Sequence, residues 1–182
     1  ITINAENATP LYGDANPTLT YVIGGGGLVA GDTLTGSLAT AAVLTSDVGN
    51  YGITQGDLAA SANYLLSFEG GTLAVTPRAL IITANNFSRF YGMANPVLTY
   101  TLSGDGLVLG DTVTGEIATH ANLLSAAGNY GILQNSLSAS ANYRISYGPG
   151  VLTILPRQTN SNEIASTIER HNAKSFYPEW IQ

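Results

Sequence analysis

The 182-residue chain carries a formal net charge of -6, only 10% charged residues, 21 glycines and no cysteine. An average soluble domain is about 25% charged, so this surface is covered by hydroxyls and amides, and its acidic balance opposes the basic patch that a nucleic acid partner demands. Without cysteine there is no disulfide, no thiolate nucleophile and no thiolate metal ligand, and no apolar run is long enough to span a membrane.

Ile1-Thr2-Ile3-Asn4-Ala5 opens the chain as an alternating strand. It starts without a Met or a signal peptide, so the chain reads as part of a larger secreted protein. Tyr12-Gly13, Asn16-Pro17 and Leu19-Thr20-Tyr21 follow, and all three return 79 residues later as Tyr91-Gly92, Asn95-Pro96 and Leu98-Thr99-Tyr100. The same offset carries Gly31-Asp32-Thr33 onto Gly110-Asp111-Thr112, Gly49 to Ile53 onto Gly128 to Ile132, and Ser61 to Tyr64 onto Ser140 to Tyr143. More than half of the paired positions are identical, which makes the chain a tandem duplication.

Glycines, Asn-Pro and apolar or aromatic positions are kept between the copies, whereas reactive groups are not. Asp14 faces Met93, Asp47 faces Ala126, Asp57 faces Ser136, Glu69 faces Gly148 and His120 faces Ala41. Residues 1–77 hold six acids and no base, while residues 78–157 hold four arginines and three acids. The halves therefore differ in formal charge, from -6 to +1.

Gly24 to Gly27 reads as a turn, because a phosphate loop needs a strand-to-helix context with a Lys or a helix N-terminus. Residues 40–60 and 119–139 are Ala- and Ser-rich and form a short helix or a long loop. At the junction, Val75-Thr76-Pro77-Arg78-Ala79-Leu80-Ile81 passes between copies with no Gly/Ser linker, which predicts restricted motion. In the second copy 80–84, 97–102, 111–117, 143–147 and 151–154 read as strands, the last two joined by Gly148-Pro149-Gly150. From Gln158 the sequence changes character. Asn160-x-x-Glu163 with Ile164 and Ile168 predicts a helix over 161–173.

Candidate chemistry is sparse. Asp105 and Asp111 are calcium candidates, as the local acidic cluster of the second copy, although an Asp bonded into its own turn explains Asp32 and Asp111 equally. His120 and His171 are solitary, and paired carboxylates for glycoside chemistry would come from a copy whose acids the other lacks. The recurring tyrosines serve a core or a sugar-stacking surface. Lys174, the only lysine, lies outside both copies, so no Lys–Asn isopeptide bond forms within a repeat. Phe176, Tyr177 and Trp180 in the tail either dock on the second copy, begin a next domain, or form a partner-recognition peptide.

An alternating strand, then Tyr-Gly-x-Ala-Asn-Pro-x-Leu-Thr-Tyr (Tyr12 to Tyr21), Gly27 to Thr33, Gly49 to Ile53, Asn63-Tyr64 and Gly71 to Pro77, with their second-copy equivalents, resembles the MBG/YDG-type repeats of large bacterial exported adhesins. The resemblance covers residues 1–157. It implies mostly β, β-grasp-like modules end to end, at 1–77 and 78–157, with 158–182 as a tail carrying a short helix. It also implies a filamentous haemagglutinin-like or biofilm-matrix adhesin at the bacterial cell surface or secreted, with no catalytic motif and no cofactor. The expected function is a non-enzymatic stalk projecting a binding region. The alternative is a glycan- or protein-binding module. The expected partner is a host or matrix glycan or protein engaged by the full-length adhesin, and this stretch is expected to be a monomer.

Overall fold

The computed structural model describes residues 1–158, and the expected helix at 161–173 and the aromatic tail lie outside them. Among the described residues thirteen strands run in chain order: β1 (Thr2–Ala5), β2 (Tyr21–Gly24), β3 (Ala39–Thr40), β4 (Gly49–Thr54), β5 (Ser67–Glu69), β6 (Gly71–Val75), β7 (Arg78–Ala84), β8 (Phe87–Phe90), β9 (Tyr100–Gly104), β10 (Ala118–Thr119), β11 (Gly128–Leu133), β12 (Tyr143–Gly148) and β13 (Gly150–Leu155). Among the described residues the chain is all β, with no helix. It divides into two compact units. The first takes residues 1–83, 101–116 and 135–148, and the second takes 84–100, 117–134 and the described residues from Pro149 onward.

In the first unit, β1 lies between β2, which it pairs antiparallel, and β5, which it pairs in parallel. A second sheet, β3-β4-β6, is antiparallel throughout. A third is ordered β12-β7-β9, with β7 and β12 parallel. The second unit is built on one sheet, β10-β11-β13-β8, in which β8 and β13 are parallel. Shifted by 79 residues, β1 to β6 fall on β7 and β9 to β13. The counterpart of β8 in the first copy is a pair of parallel bridges, Ala8 to Leu73 and Leu11 to Thr76.

Alternation selects the core. In β7, Leu80, Ile82 and Ala84 are buried and the residues between them are exposed, because successive side chains of a strand point to opposite faces. The buried set repeats with the sequence: Ile3 and Ile82, Leu38 and Ile117, Ala42 and Ala121, Ile53 and Ile132, Leu58 and Leu137, Leu73 and Leu152, Val75 and Ile154. The Asn of each Asn-Pro clamps a loop, Asn16 Nδ2 donating to Ala42 O at 2.6 Å and Asn95 Nδ2 to Ala121 O at 2.7 Å.

Two expected strands are displaced. The alternation at 97–102 becomes a strand only from Tyr100. Residues 111–117 form a loop with a single bridge, Thr114 to Ser138. There Gly115 has φ +83° and packs so closely on the Ser136 carbonyl that a Cβ would stand 2.2 Å from its oxygen. That turn overrides the β propensity of Thr112, Val113 and Thr114. The stretches at 40–60 and 119–139 are loops enclosing β4 and β11, with no helix.

Candidate functional site

Several kept residues differ in burial between the copies, and three of them differ together. Tyr12 is buried but Tyr91 is 40% exposed, whereas Asn142 and Tyr143 are buried and their first-copy equivalents Asn63 and Tyr64 are exposed and half-buried. All the residues that explain this belong to the first compact unit. Together they form a joint between the first repeat and the opening of the second.

On the first-repeat side, the Tyr12-Gly13 turn is the inserting element. Gly13 has φ +78°, a conformation that costs an L-residue about 1–2 kcal/mol, and a Cβ there would stand 2.2 Å from Val108 Cγ2. The Tyr12 ring meets the Tyr143 ring edge to face, with centroids 5.6 Å apart, a geometry worth about 0.5–1.5 kcal/mol beyond burial.

On the second-repeat side, Asn142 is the central acceptor and donor. Its Nδ2 donates to Asp47 Oδ1 at 2.8 Å, and its Oδ1 accepts the Val48 N–H at 2.9 Å. Tyr51 helps to present that loop, its hydroxyl donating to Asp47 O at 2.8 Å. Beneath the ring, Tyr143 donates to Asp111 Oδ2 and accepts the Val108 N–H at 2.8 Å.

Arg78 completes the joint. Its Nη1 reaches Asp14 Oδ1 at 2.7 Å and Tyr12 O at 3.1 Å, and its Nε reaches Asp105 O at 3.1 Å. Because the Asp14 side chain is 49% exposed, solvent screens the pair and limits it to about 0–1 kcal/mol. Losing the buried Asn142 amide, with its partners left unpaired, costs about 1–3 kcal/mol. The amide rather than the ion pair dominates.

The calcium candidates are engaged in this framework. Asp105 Oδ2 accepts the Ala79 N–H at 3.1 Å, while Asp111 accepts from Tyr143. No group of three or more His, Cys, Asp or Glu side chains is placed to hold a metal among the described residues. His120 is exposed. An open depression of about 450 Å³, lined by Asn7, Asp14, Thr18 and Thr20 among others, has no aromatic residue in its wall. Phe176, Tyr177 and Trp180 lie outside the described residues.

Sequence reasoning missed the roles of Asp14, Asp47, Arg78 and Asn142. The available signal was that two acids lost in the second copy flank the kept Tyr-Gly and Gly-Asn-Tyr motifs. A third lost acid, Asp57, has a local task. The Ser37 N–H at 2.7 Å, then the Ser37 hydroxyl, hold its carboxyl below the usual value. In the second copy Ser136 Oγ accepts the matching Glu116 N–H at 3.1 Å. Arg89, which replaces Pro10, was also missed. It is buried in the second unit and ties Asn95 Oδ1 and Asn122 O at 2.7 and 2.6 Å.

Fold and joint define an all-β tandem repeat whose specialised contacts connect one copy to the next. Comparison with protein families agrees: the model for the MBG domain (YGX type) matches residues 1–74 and 80–153. The chain belongs to that family, a family of adhesin-type repeats found in exported bacterial proteins. No curated protein and no solved structure matches significantly.

Two outcomes follow from the joint. Gly13→Ala and Gly92→Ala both place a side chain at positive φ, near +78° and +79°, but a Cβ on Gly92 meets nothing within 4 Å. Denaturant unfolding is expected to show Gly13→Ala costing about 1–3 kcal/mol more than Gly92→Ala, the overpacking increment; equal losses would contradict the seating of Gly13 on Val108.

Burial first, then hydrogen bonding to Asp111 and its charge, push the Tyr12 and Tyr143 phenols above their ordinary value of 10.0. A raised phenol pKa favours the neutral form in the fold. Its contribution is complete below that ordinary value and is lost as pH climbs through the raised one. Melting temperature is expected to fall as pH climbs above about 10. Tyr12→Phe should lessen that fall; a slope matching that of the unaltered chain would refute the burial of this phenol.

Proposed function

We propose that the chain is a stiff spacer in a bacterial surface or secreted adhesin, a non-enzymatic stretch of stalk that holds a binding region away from the cell or matrix. The observation that carries this reading is the hydrogen bonding of the junction. Thr76 N–H donates to Pro10 O at 2.9 Å, Arg78 N–H to Asn142 O at 2.9 Å, and Ala79 N–H to Asp105 Oδ2 at 3.1 Å. Pro77 has no N–H to satisfy and a fixed φ. No backbone N–H from Thr76 to Ala79 is left to water, so the connector is tied down on both sides instead of acting as a tether.

The domain boundary that serves this reading lies between residues 77 and 78. A spacer needs no catalytic group, and the four aspartates of the first copy are accounted for by contacts within the fold: Asp14 with Arg78, Asp47 with Asn142, Asp57 with Ser37, and Asp32 with Tyr64. Adhesion to a host or matrix glycan or protein belongs in this reading to the full-length adhesin, with the present stretch monomeric.

The test is amide relaxation by NMR at the junction. Order parameters at Thr76, Arg78 and Ala79 are expected to equal those of strands, near about 0.85. Values under about 0.6 at these three amides would make the connector a flexible tether and end the spacer reading.

A further inference from the structure

The surface that receives the Tyr12-Gly13 turn in the second repeat exists in finished form on the first repeat, where none of the described residues covers it in the same way. Val29 N–H donates to Tyr64 Oη at 2.8 Å, as Val108 N–H donates to Tyr143 Oη at 2.8 Å. Tyr64 donates to Asp32, as Tyr143 donates to Asp111. Asn63 stands where Asn142 stands. Yet Val29 is 69% exposed and Asn63 is exposed, while Val108 is half-buried and Asn142 only 8% exposed.

We propose that this face, formed by Val29, Asp32, Asn63 and Tyr64, is a docking surface for the Tyr-Gly end of another MBG repeat of the YGX type, one that carries an aspartate at the position of Asp47. The occupant is identified by what covers the equivalent face in this same chain. A Tyr ring lies edge-on to Tyr143, a glycine lies against Val108, and a carboxylate with its neighbouring N–H brackets the Asn142 amide. Asn63 offers the same amide and Tyr64 the same ring, already held by the same two hydrogen bonds. Ordering that a ligand would otherwise have to impose is therefore in place beforehand.

The chemistry also says which repeat fits. The chain's other Tyr-Gly turn, at Tyr91 and Gly92, has Met93 and Ala126 at the positions of Asp14 and Asp47. It cannot offer a carboxylate to the Asn63 amide, so a second copy of this chain is the poorer occupant. Such a head-to-tail contact uses unlike surfaces and does not close on itself, the geometry of an open array. The inference rests on the spacer reading only for its place in a longer stalk.

The experiment is an extended chain in which residues 1–79 are duplicated ahead of Ile1, so that the added copy stands 79 residues before the first repeat, as the first repeat stands before the second. Amide hydrogen exchange of Val29 in the original first repeat is compared with the unextended chain. Slowing by at least about tenfold is expected, since a covered hydrogen bond opens less often, and Asp47→Ala in the added copy should remove most of it. Unchanged exchange at Val29, whether or not the added copy is itself protected, would overturn the docking surface. Full protection that survives Asp47→Ala would overturn the choice of an acid-bearing partner. Neither result alters the order parameters at Thr76 to Ala79, which judge the spacer reading separately.

Discussion

A buried side-chain amide has to find partners for both of its ends, and in this chain the Asn142 amide finds them 95 and 94 residues away, in Asp47 and Val48. Much of the joint is arranged around that requirement. Tyr51 steadies the loop bearing Asp47, and Tyr12 fills the space beside the amide against Tyr143. Gly13 is needed because only a residue without a Cβ fits both its positive φ and the approach of Val108. The Arg78 ion pair lies at the rim, where water weakens it. It adds direction more than stability.

This arrangement gives meaning to an asymmetry that looks like drift. The first repeat has no base and a formal charge of -6, and the second has four arginines. Two of the acids absent from the second copy, Asp14 and Asp47, meet Arg78 and Asn142 of that copy. A third, Asp57, bonds within its own repeat, where Ser136 serves the same end by a shorter, neutral side chain. At Asp14 and Asp47 the copies have thus diverged where their neighbours differ.

The β character, the offset of 79 and the turn glycines were legible because they are local: alternation, punctuation and self-similarity depend on residues close in sequence. Leu80, Ile82, Leu152 and Ile154 were readable as core on this basis. The loop at 111–117 was not, because its Thr-Val-Thr pattern mimics a strand and the close approach of Gly115 to Ser136 is a long-range fact. The joint was less legible still. Asn63 and Asn142 are the same residue in the same motif, and only the identity of the neighbouring surface makes one exposed and the other buried. Nor does any sequence pattern announce that Tyr12 and Tyr91, with the same Gly after them, lie in different surroundings.

The central claim is that the second repeat's receiving face is occupied and the first repeat's identical face is open. Hydrogen exchange on the unaltered chain measures this within one molecule, because Val29 and Val108 donate to equivalent tyrosine hydroxyls at the same 2.8 Å. The account predicts that the Val108 amide exchanges at least about ten times more slowly than the Val29 amide. Equal rates at the two amides would contradict it.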